Sequence, residues 1–416
     1  MTSLLDYSEL LSKISPTEEE FNFIISLTNE IKLSLEKSAR ELSFDVVVTP
    51  GGSTAKNTFI KGNHDIDMFI RFKSDEKNLS DMLEKIIKKS SLQADRVHGS
   101  RDYFQFEKDG FNFELVPVKY VTDYSNVENV TDMSPLHVAW VMKNLTPELQ
   151  RDIRLAKQFC KAQNVYGAES YINGMSGHVL DILLIHYGSF ENFIKEVSTW
   201  SSPVVIDHEH KHEDVFKSLN ESKLQSPLIV VDPIDYMRNA SAAISEEKFN
   251  LLISSAKNFL NNPSLDAFVI HPFSKEELIS NTGENETLVI LELQPLEGNK
   301  DVVGTKILKV FEFLQREISE HGFSIIRSGW DFNKPSHIYF YVDKSLLDSS
   351  FIRKGPPVNS KVGAKSFKEK HGSAAFEKDG FLFVTIQRNI LEITDFIKFL
   401  MFTEYVSSRV SSVKLI

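Results

Sequence analysis

Residues 46–72 read VVVTPGGSTAKNTFIKGNHDIDMFIRF, and this stretch decides the fold. Val46-Val47-Val48 and Met68-Phe69-Ile70 are apolar runs of strand-forming composition. Between them Gly51-Gly52-Ser53 turns into a helical start, and Asn63-His64-Asp65-Ile66-Asp67 then sets two carboxylates one residue apart. Side chains two apart on a strand share a face. Asp65 and Asp67 therefore point the same way, with Ile66 turned into the core. Two carboxylates on one face repel unless a cation sits between them. Mg²⁺ suits that position, because it takes hard oxygen ligands and phosphate oxygens together. Two such ions activate a hydroxyl nucleophile and stabilise a leaving pyrophosphate. The order makes nucleotidyl transfer the leading expectation, ahead of simple nucleotide binding. A turn before a strand is the plain alternative for Asp65 and Asp67.

A third carboxylate is expected at Glu114. Phe111, Phe113 and Leu115 alternate with Asn112, Glu114 and Val116, a strand pattern that turns Glu114 away from the phenylalanines. On a neighbouring strand it completes a metal cage; on spacing alone it is equally a solvent-facing acid. Gly52 permits close backbone approach to phosphate. Ser53 either caps the following helix or donates to the triphosphate. Lys56, one turn on, adds positive charge. The segment is not a Walker A loop, since it lacks the Gly-Lys-Ser/Thr ending, and it lacks the dinucleotide fingerprint.

Several separated stretches together resemble one family. They are GGSTAKNTFIKGNHDIDMFIRF (51–72), FNFELVPV (111–118), SPLHVAWV (134–141), RLAKQFCKAQNVYGAESYINGMSGHVLDILLIHYGSF (154–190) and VVDPIDYMRNASAAIS (230–245). In this order they resemble archaeal-type, class I CCA-adding enzymes, which are tRNA nucleotidyltransferases. The carboxy-terminal third resembles the family more diffusely. The resemblance implies that Asp65, Asp67 and Glu114 are the three catalytic metal carboxylates holding two Mg²⁺ ions. The family usually has Asp at the third position, so Glu114 is a departure with longer reach. Gly52, Ser53 and Lys56 match positions around the incoming triphosphate, where the family often has Arg instead of Lys. Lysine supplies a point charge without the bidentate fork. His137, Lys157, Tyr166 and Arg238 match residues that surround the nucleotide, and Arg238 resembles the arginine that helps select C or A. The implied substrates are CTP and ATP, and the implied partner is the acceptor and TΨC region of tRNA. A homodimer is also implied.

The same residues carry plainer readings. His137, in Ser134-Pro135-Leu136-His137-Val138, reads as a structural histidine at a helix start. Thr146-Pro147 starts a helix. Leu149, Ile153, Ala156 and Cys160 form its apolar stripe, and Arg154, Lys157 and Lys161 a basic stripe. That basic stripe is either a solvated face or a phosphate contact. Tyr166 caps this helix or bounds the pocket. Arg238 follows the Asp232-Pro233 turn and alone reads as a surface arginine. His208-Glu209-His210-Lys211-His212 resembles a metal motif but reads better as surface histidines in a charged loop.

The chain of 416 residues permits a large core and more than one domain. The expected fold is α+β and multidomain. Residues 1–145 form a nucleotidyltransferase-type mixed α/β catalytic domain with an amino-terminal helix. Residues 146–260 are mainly helical, and residues 261–416 form an α+β RNA-binding region. In that last part Phe268-Val269-Ile270, Thr287–Leu291, Ile338–Val342 and Phe381–Val384 read as strands. Ile307, Phe311, Leu314 and Ile318 mark a helix, and a helix from about Leu391 to Tyr405 closes the domain. A single cysteine, Cys160, excludes an intrachain disulfide framework. No long apolar span or targeting pattern is present, which predicts no membrane partner and a cytoplasmic location. The net charge of −11 excludes a surface coated uniformly for RNA, but not a local site. Residues 351–380 hold seven Lys or Arg against three Asp or Glu, a phosphate-contact region or a solvated loop. The competing functions are a poly(A) or oligoadenylate-type nucleotidyltransferase and a non-catalytic tRNA-binding protein.

Overall fold

A computed structural model describes residues 4–62, 65–344 and 347–416. Asn63 and His64 of the opening motif lie outside the described residues. The chain forms two compact units, residues 1–271 and 272–416.

The first unit begins with α1 (Ser8–Ile14) and the long α2 (Glu18–Glu41). Thr17 and Glu20 close a capping box at the start of α2, each side chain accepting the other's backbone N–H. There follow β1 (Val46–Pro50), α3 (Gly52–Lys56), β2 (Asp65–Phe72), α4 (Leu79–Lys89), β3 (Asp95–Val97), β4 (Tyr103–Lys108) and β5 (Phe111–Lys119). The five strands form one mixed sheet in the order β1-β2-β5-β4-β3. Only the central β2–β5 pair is parallel. Along β2 the period of two sends Ile66, Met68, Ile70 and Phe72 inward, where they join Ile24, Leu27, Ile31 and Leu35 of α2 and Leu83 and Ile86 of α4. The alternate residues Asp65 and Asp67 take the opposite face.

The rest of this unit is mainly helical. It contains α5 (Ser134–Asn144), α6 (Pro147–Ala162), α7 (Gly177–Tyr187), α8 (Phe190–Val197), the short pair β6 (Val204–Ile206) and β7 (Leu228–Val230), α9 (Val215–Ser218) and α10 (Glu246–Asn261). Thr146 caps α6 by accepting from Leu149 N, with Pro147 in its first turn, as the sequence predicts. The stripe Leu149, Ile153, Ala156 and Cys160 is buried. Phe159, Phe190, Phe259 and Phe268 pack ring against ring with centroids 5.6 to 6.1 Å apart.

Phe268-Val269-Ile270 is not the strand its composition predicts. Leu265–Phe268 is a 3₁₀ turn. The carbonyls of Ala267 and Phe268 accept from the amides of Gln163 and Gln158, at 2.8 and 2.7 Å. Phe268 is drawn into the aromatic cluster, while Val269 and Ile270 stay exposed.

The second unit contains α11 (Lys275–Ser280), β8 (Glu286–Pro295), α12 (Lys300–His321), β9 (Ile325–Asp331), β10 (Ser336–Asp343), β11 (Ser350–Pro357), α13 (Lys361–His371), β12 (Ala375–Lys378), β13 (Phe381–Gln387), α14 (Ile393–Met401), α15 (Glu404–Ser407) and β14 (Val410–Leu415). One antiparallel sheet runs β14-β8-β10-β9 and a second runs β11-β13-β12. Ile307, Val310, Leu314 and Ile318 of α12 share a core with Leu291, Leu293, Ile338 and Phe340. The helix expected over 391–405 breaks at Met401, and the domain closes instead with β14, paired to β8. The basic region is ordered, not a loop: Arg353 and Lys354 on β11 and Lys361, Lys365, Lys368 and Lys370 on α13 are all exposed.

Candidate active site

The carboxylates meet because β2 and β5 run parallel in a defined register. Asp67 stands opposite Glu114 and Asp65 opposite Asn112. Asn112 Nδ2 donates to Asp65 Oδ1 at 3.2 Å, and Gln105 Nε2 donates to Glu114 Oε1 at 2.6 Å. Gln105 faces Glu114 from β4, across the antiparallel pair. Burial raises the Asp67 carboxyl to about 6, and the charges of Glu114 and Asp65 add to this against Lys56. Burial also raises Glu114; the Gln105 hydrogen bond opposes that rise and the Asp65 charge adds to it. Three carboxylates thus converge with like-charge repulsion between them. All-oxygen donors of that kind fit Mg²⁺.

The glycine turn is latched to the same strand. Gly51 N donates to the Asp67 carbonyl at 2.8 Å. Gly52 has φ +53°, and a Cβ there would stand 1.8 Å from Asp67 Oδ2. Only glycine satisfies both demands. Ser53 lies inside the first turn of α3 and does not cap it; Gly51 occupies the cap position.

Lys56 is not a free point charge. Its buried ammonium is ion-paired with Asp181 of α7, which is fully buried. Lys157 Nζ donates to Thr58 O at 3.0 Å and Thr58 Oγ1 at 3.1 Å. Arg154 donates to the carbonyls of Phe59 and Asn57 at 3.0 and 2.6 Å. Two members of the basic stripe on α6, Arg154 and Lys157, are therefore buried and clamp the segment that follows α3. Burial lowers the Lys157 ammonium to about 8, with Asp181 opposing and Lys56 assisting. Tyr166 brings its hydroxyl to Gly177, where a Cβ would be 3.1 Å away. Its phenol is raised by burial and by Asp181.

His137, Arg238 and two residues that the sequence reading left aside form a further cluster. His137 Nε2 lies 2.8 Å from Asp232 Oδ1, and Arg238 Nη1 donates to Asp232 Oδ2 at 2.7 Å. His178 of α7 packs its ring 4.2 Å from that of His137. Burial would raise the Asp232 carboxyl, but the hydrogen bond and charge of His137 hold it well below the usual range. Burial, assisted by His137, lowers His178 to about 3 and keeps it neutral. His178 and Asp181 lie three apart on α7; Asp181 is ion-paired with Lys56, and the Lys56 charge also acts on His178. His208, Glu209 and His212 find separate partners, in His186, Trp140 and the Tyr236 carbonyl.

Gln105 was legible in principle. Asp109 and Gly110 both have positive φ, a two-residue hairpin turn. Counting back from it pairs Lys108 with Phe111 and Gln105 with Glu114. Asp181 and Asp232 had no comparable local signal.

A mixed sheet that aligns three carboxylates beside a glycine turn defines a nucleotidyltransferase. The description "Nucleotidyltransferase domain" matches residues 32–121, and "tRNA nucleotidyltransferase, second domain" matches residues 151–269. A CCA-adding enzyme of Nanoarchaeum equitans is 32% identical over 90% of this chain and 91% of its own length. One from Methanocaldococcus jannaschii is 30% identical over 94% and 89%. The chain belongs to the CCA-adding enzyme family. A solved structure of Cid1, described for its RNA terminal uridylyl transferase activity, shares the fold at TM-score 0.51 and 11% identity, covering 64% of this chain and 97% of that one.

Proposed function

We propose that this family member adds C, C and A to the 3′ end of tRNA from CTP and ATP, without a nucleic-acid template. The observation that carries the reading is the Asp65, Asp67 and Glu114 set, in register on two strands and latched to Gly51, in a chain related over 90% of its length to a CCA-adding enzyme. The terminal 3′-hydroxyl oxygen attacks the α-phosphorus of the nucleotide. A new P–O bond forms, the bond to pyrophosphate breaks, and the hydroxyl proton leaves to solvent. Asp65, Asp67 and Glu114 would hold two Mg²⁺ ions, which when bound stabilise negative charge on the attacking and leaving oxygens.

The chain's own residues do the rest. Gly52 lets the backbone approach the triphosphate beside Asp67, with Ser53 next to it. Lys56 acts from its ion pair with Asp181, placing a buried positive charge near the carboxylates. Lys157 and Tyr166 border the same buried network and line the nucleotide pocket. His137 and Arg238, both held on Asp232, orient the nucleotide, with Arg238 toward the base edge.

Within this reading residues 1–145 carry the chemistry, 146–260 complete the nucleotide pocket, and 261–416 hold the acceptor and TΨC region of tRNA. The exposed Arg353, Lys354, Lys361 and Lys365 support phosphate contact there. The work is assigned to the cytoplasm and to a homodimer; among the described residues no helix is long and apolar enough to cross a membrane. The test is incorporation of labelled CMP and AMP into tRNA lacking CCA, with Mg²⁺. Incorporation by the native chain and none by Asp67→Ala supports the reading. Metal-independent tRNA binding with no incorporation would overturn it in favour of a binding protein.

A further inference from the structure

We propose a second cation site, for a borderline divalent ion such as Zn²⁺, formed by His137, His178 and Asp232 and separate from the Asp65, Asp67 and Glu114 set. The ligand atoms of these three residues lie within 4.8 Å of one another. They come from α5, from α7 and from the segment after β7, so the fold and not local sequence brings them together.

Zn²⁺ binds imidazole nitrogen and carboxylate oxygen at about 2.0–2.2 Å, so neighbouring ligands of a tetrahedral ion stand roughly 3.4 Å apart. The observed separations bracket that value. His137 Nε2 is 2.8 Å from Asp232 Oδ1, and His178 Nε2 is 3.9 Å from Asp232 Oδ2. These two contacts use different oxygens of Asp232; with one ligand atom from each residue no separation exceeds 4.8 Å, so side-chain shifts of up to about 1.4 Å close the set onto one ion.

Three further features fit. His178 Nε2 is buried and has no hydrogen-bond partner among the described residues, so this nitrogen is free to present a lone pair to an ion. The Asp232 carboxylate is held by outer partners: Arg238, and the backbone N–H groups of Ile234 and Asp235 at 2.9 and 3.1 Å. Ligating carboxylates are oriented by partners of this kind. Two imidazoles and one carboxylate suit Zn²⁺ and disfavour Mg²⁺, which takes oxygen. Three protein ligands leave a fourth position for water or an oxyanion. The ion would take the place of the proton that His137 and Asp232 share. This assignment rests on geometry; it shares His137 and Asp232 with the nucleotide contacts proposed above, so a bound ion and a nucleotide would compete for His137.

The experiment titrates Zn²⁺, and Co²⁺ as a spectroscopic probe, into the full chain carrying Asp67→Asn, in excess Mg²⁺. The expected result is one equivalent of Zn²⁺ that excess Mg²⁺ does not displace, with a visible Co²⁺ spectrum of tetrahedral type. His178→Ala should weaken this binding by more than the roughly 10–100-fold that loss of an outer partner costs. His178→Gln, which keeps a polar side chain, should weaken it similarly and guards against misfolding of the alanine variant. His208→Ala should leave binding unchanged. Displacement by Mg²⁺, or unchanged affinity in a folded His178→Ala or His178→Gln variant, would overturn the proposal.

Discussion

The buried ammonium of Lys56 is ion-paired with the carboxylate of Asp181, 125 positions further along the chain. This contact ties the turn before the carboxylate strand to the middle of the helical part. Removing one partner leaves the other charge buried and alone, at a cost of about 3–5 kcal/mol. Asp181→Leu and Lys56→Met should each lower unfolding stability by about that amount. The double variant Lys56→Met/Asp181→Leu should recover much of the loss. Urea unfolding of the four proteins checks this; single-variant losses that simply add in the double variant would show that the pair is uncoupled.

Asp67 sets a trade between stability and chemistry. Its folded carboxyl is raised from 3.8 to about 6. The folded chain therefore binds more protons than the unfolded chain between those values, so stability falls as pH rises through that window. The penalty is fully present above about pH 6 and amounts to at most about 3 kcal/mol. Asp67→Asn should accordingly be more stable than the native chain at pH 8 without metal, and the advantage should shrink below about pH 5. Thermal unfolding of both proteins from pH 4 to 8 measures it. A constant difference across that range would contradict the assignment.

Gly52→Ala collides with Asp67 Oδ2 and forces an alanine to φ +53°. The misplaced carboxylate should cost about 100-fold in kcat, with a stability loss of about 1–2 kcal/mol. Gly62→Ala is the control, since φ there is +80° but nothing among the described residues lies within 4 Å. It carries the backbone strain alone and should keep its activity. Steady-state kinetics on the two variants separates a positioning effect from backbone strain.

Gln105 holds down the Glu114 carboxyl through its 2.6 Å hydrogen bond. Gln105→Leu removes that donor and should raise the carboxyl further. The acid limb of the pH–rate profile should then move to higher pH, so activity at pH 6 falls more than activity at pH 8.5. An equal loss at both pH values would indicate a packing defect instead.

How much of this was legible depends on the range of the interaction. Asp65 and Asp67 share a face because a strand has period two, and Ile66 between them is 1% exposed as that period requires. The Glu114 pairing with Gln105 is set by the Asp109-Gly110 turn, again a local signal. For Arg154 and Lys157 the sequence leaves a solvated face and a phosphate contact open, because helix periodicity shows which residues align but not what they meet. They meet the backbone of residues 57–59, nearly a hundred positions away. Asp181 and His178 meet Lys56 and His137 only through helix packing, and Asp232, which binds Ile234, Asp235 and Arg238 within its own turn, reaches His137 only through the fold. Phe268 misled because an apolar triplet suits a strand or a buried turn equally, and two glutamine amides decided for the turn.

The most direct measurement is the length of the product, resolved to single nucleotides, on tRNA lacking CCA. With CTP alone, two additions are expected; with CTP and ATP, three and no more; with Asp67→Ala, none. Long adenylate tails, or full activity without the Asp67 carboxylate, would contradict the assignment of CCA addition to this carboxylate site.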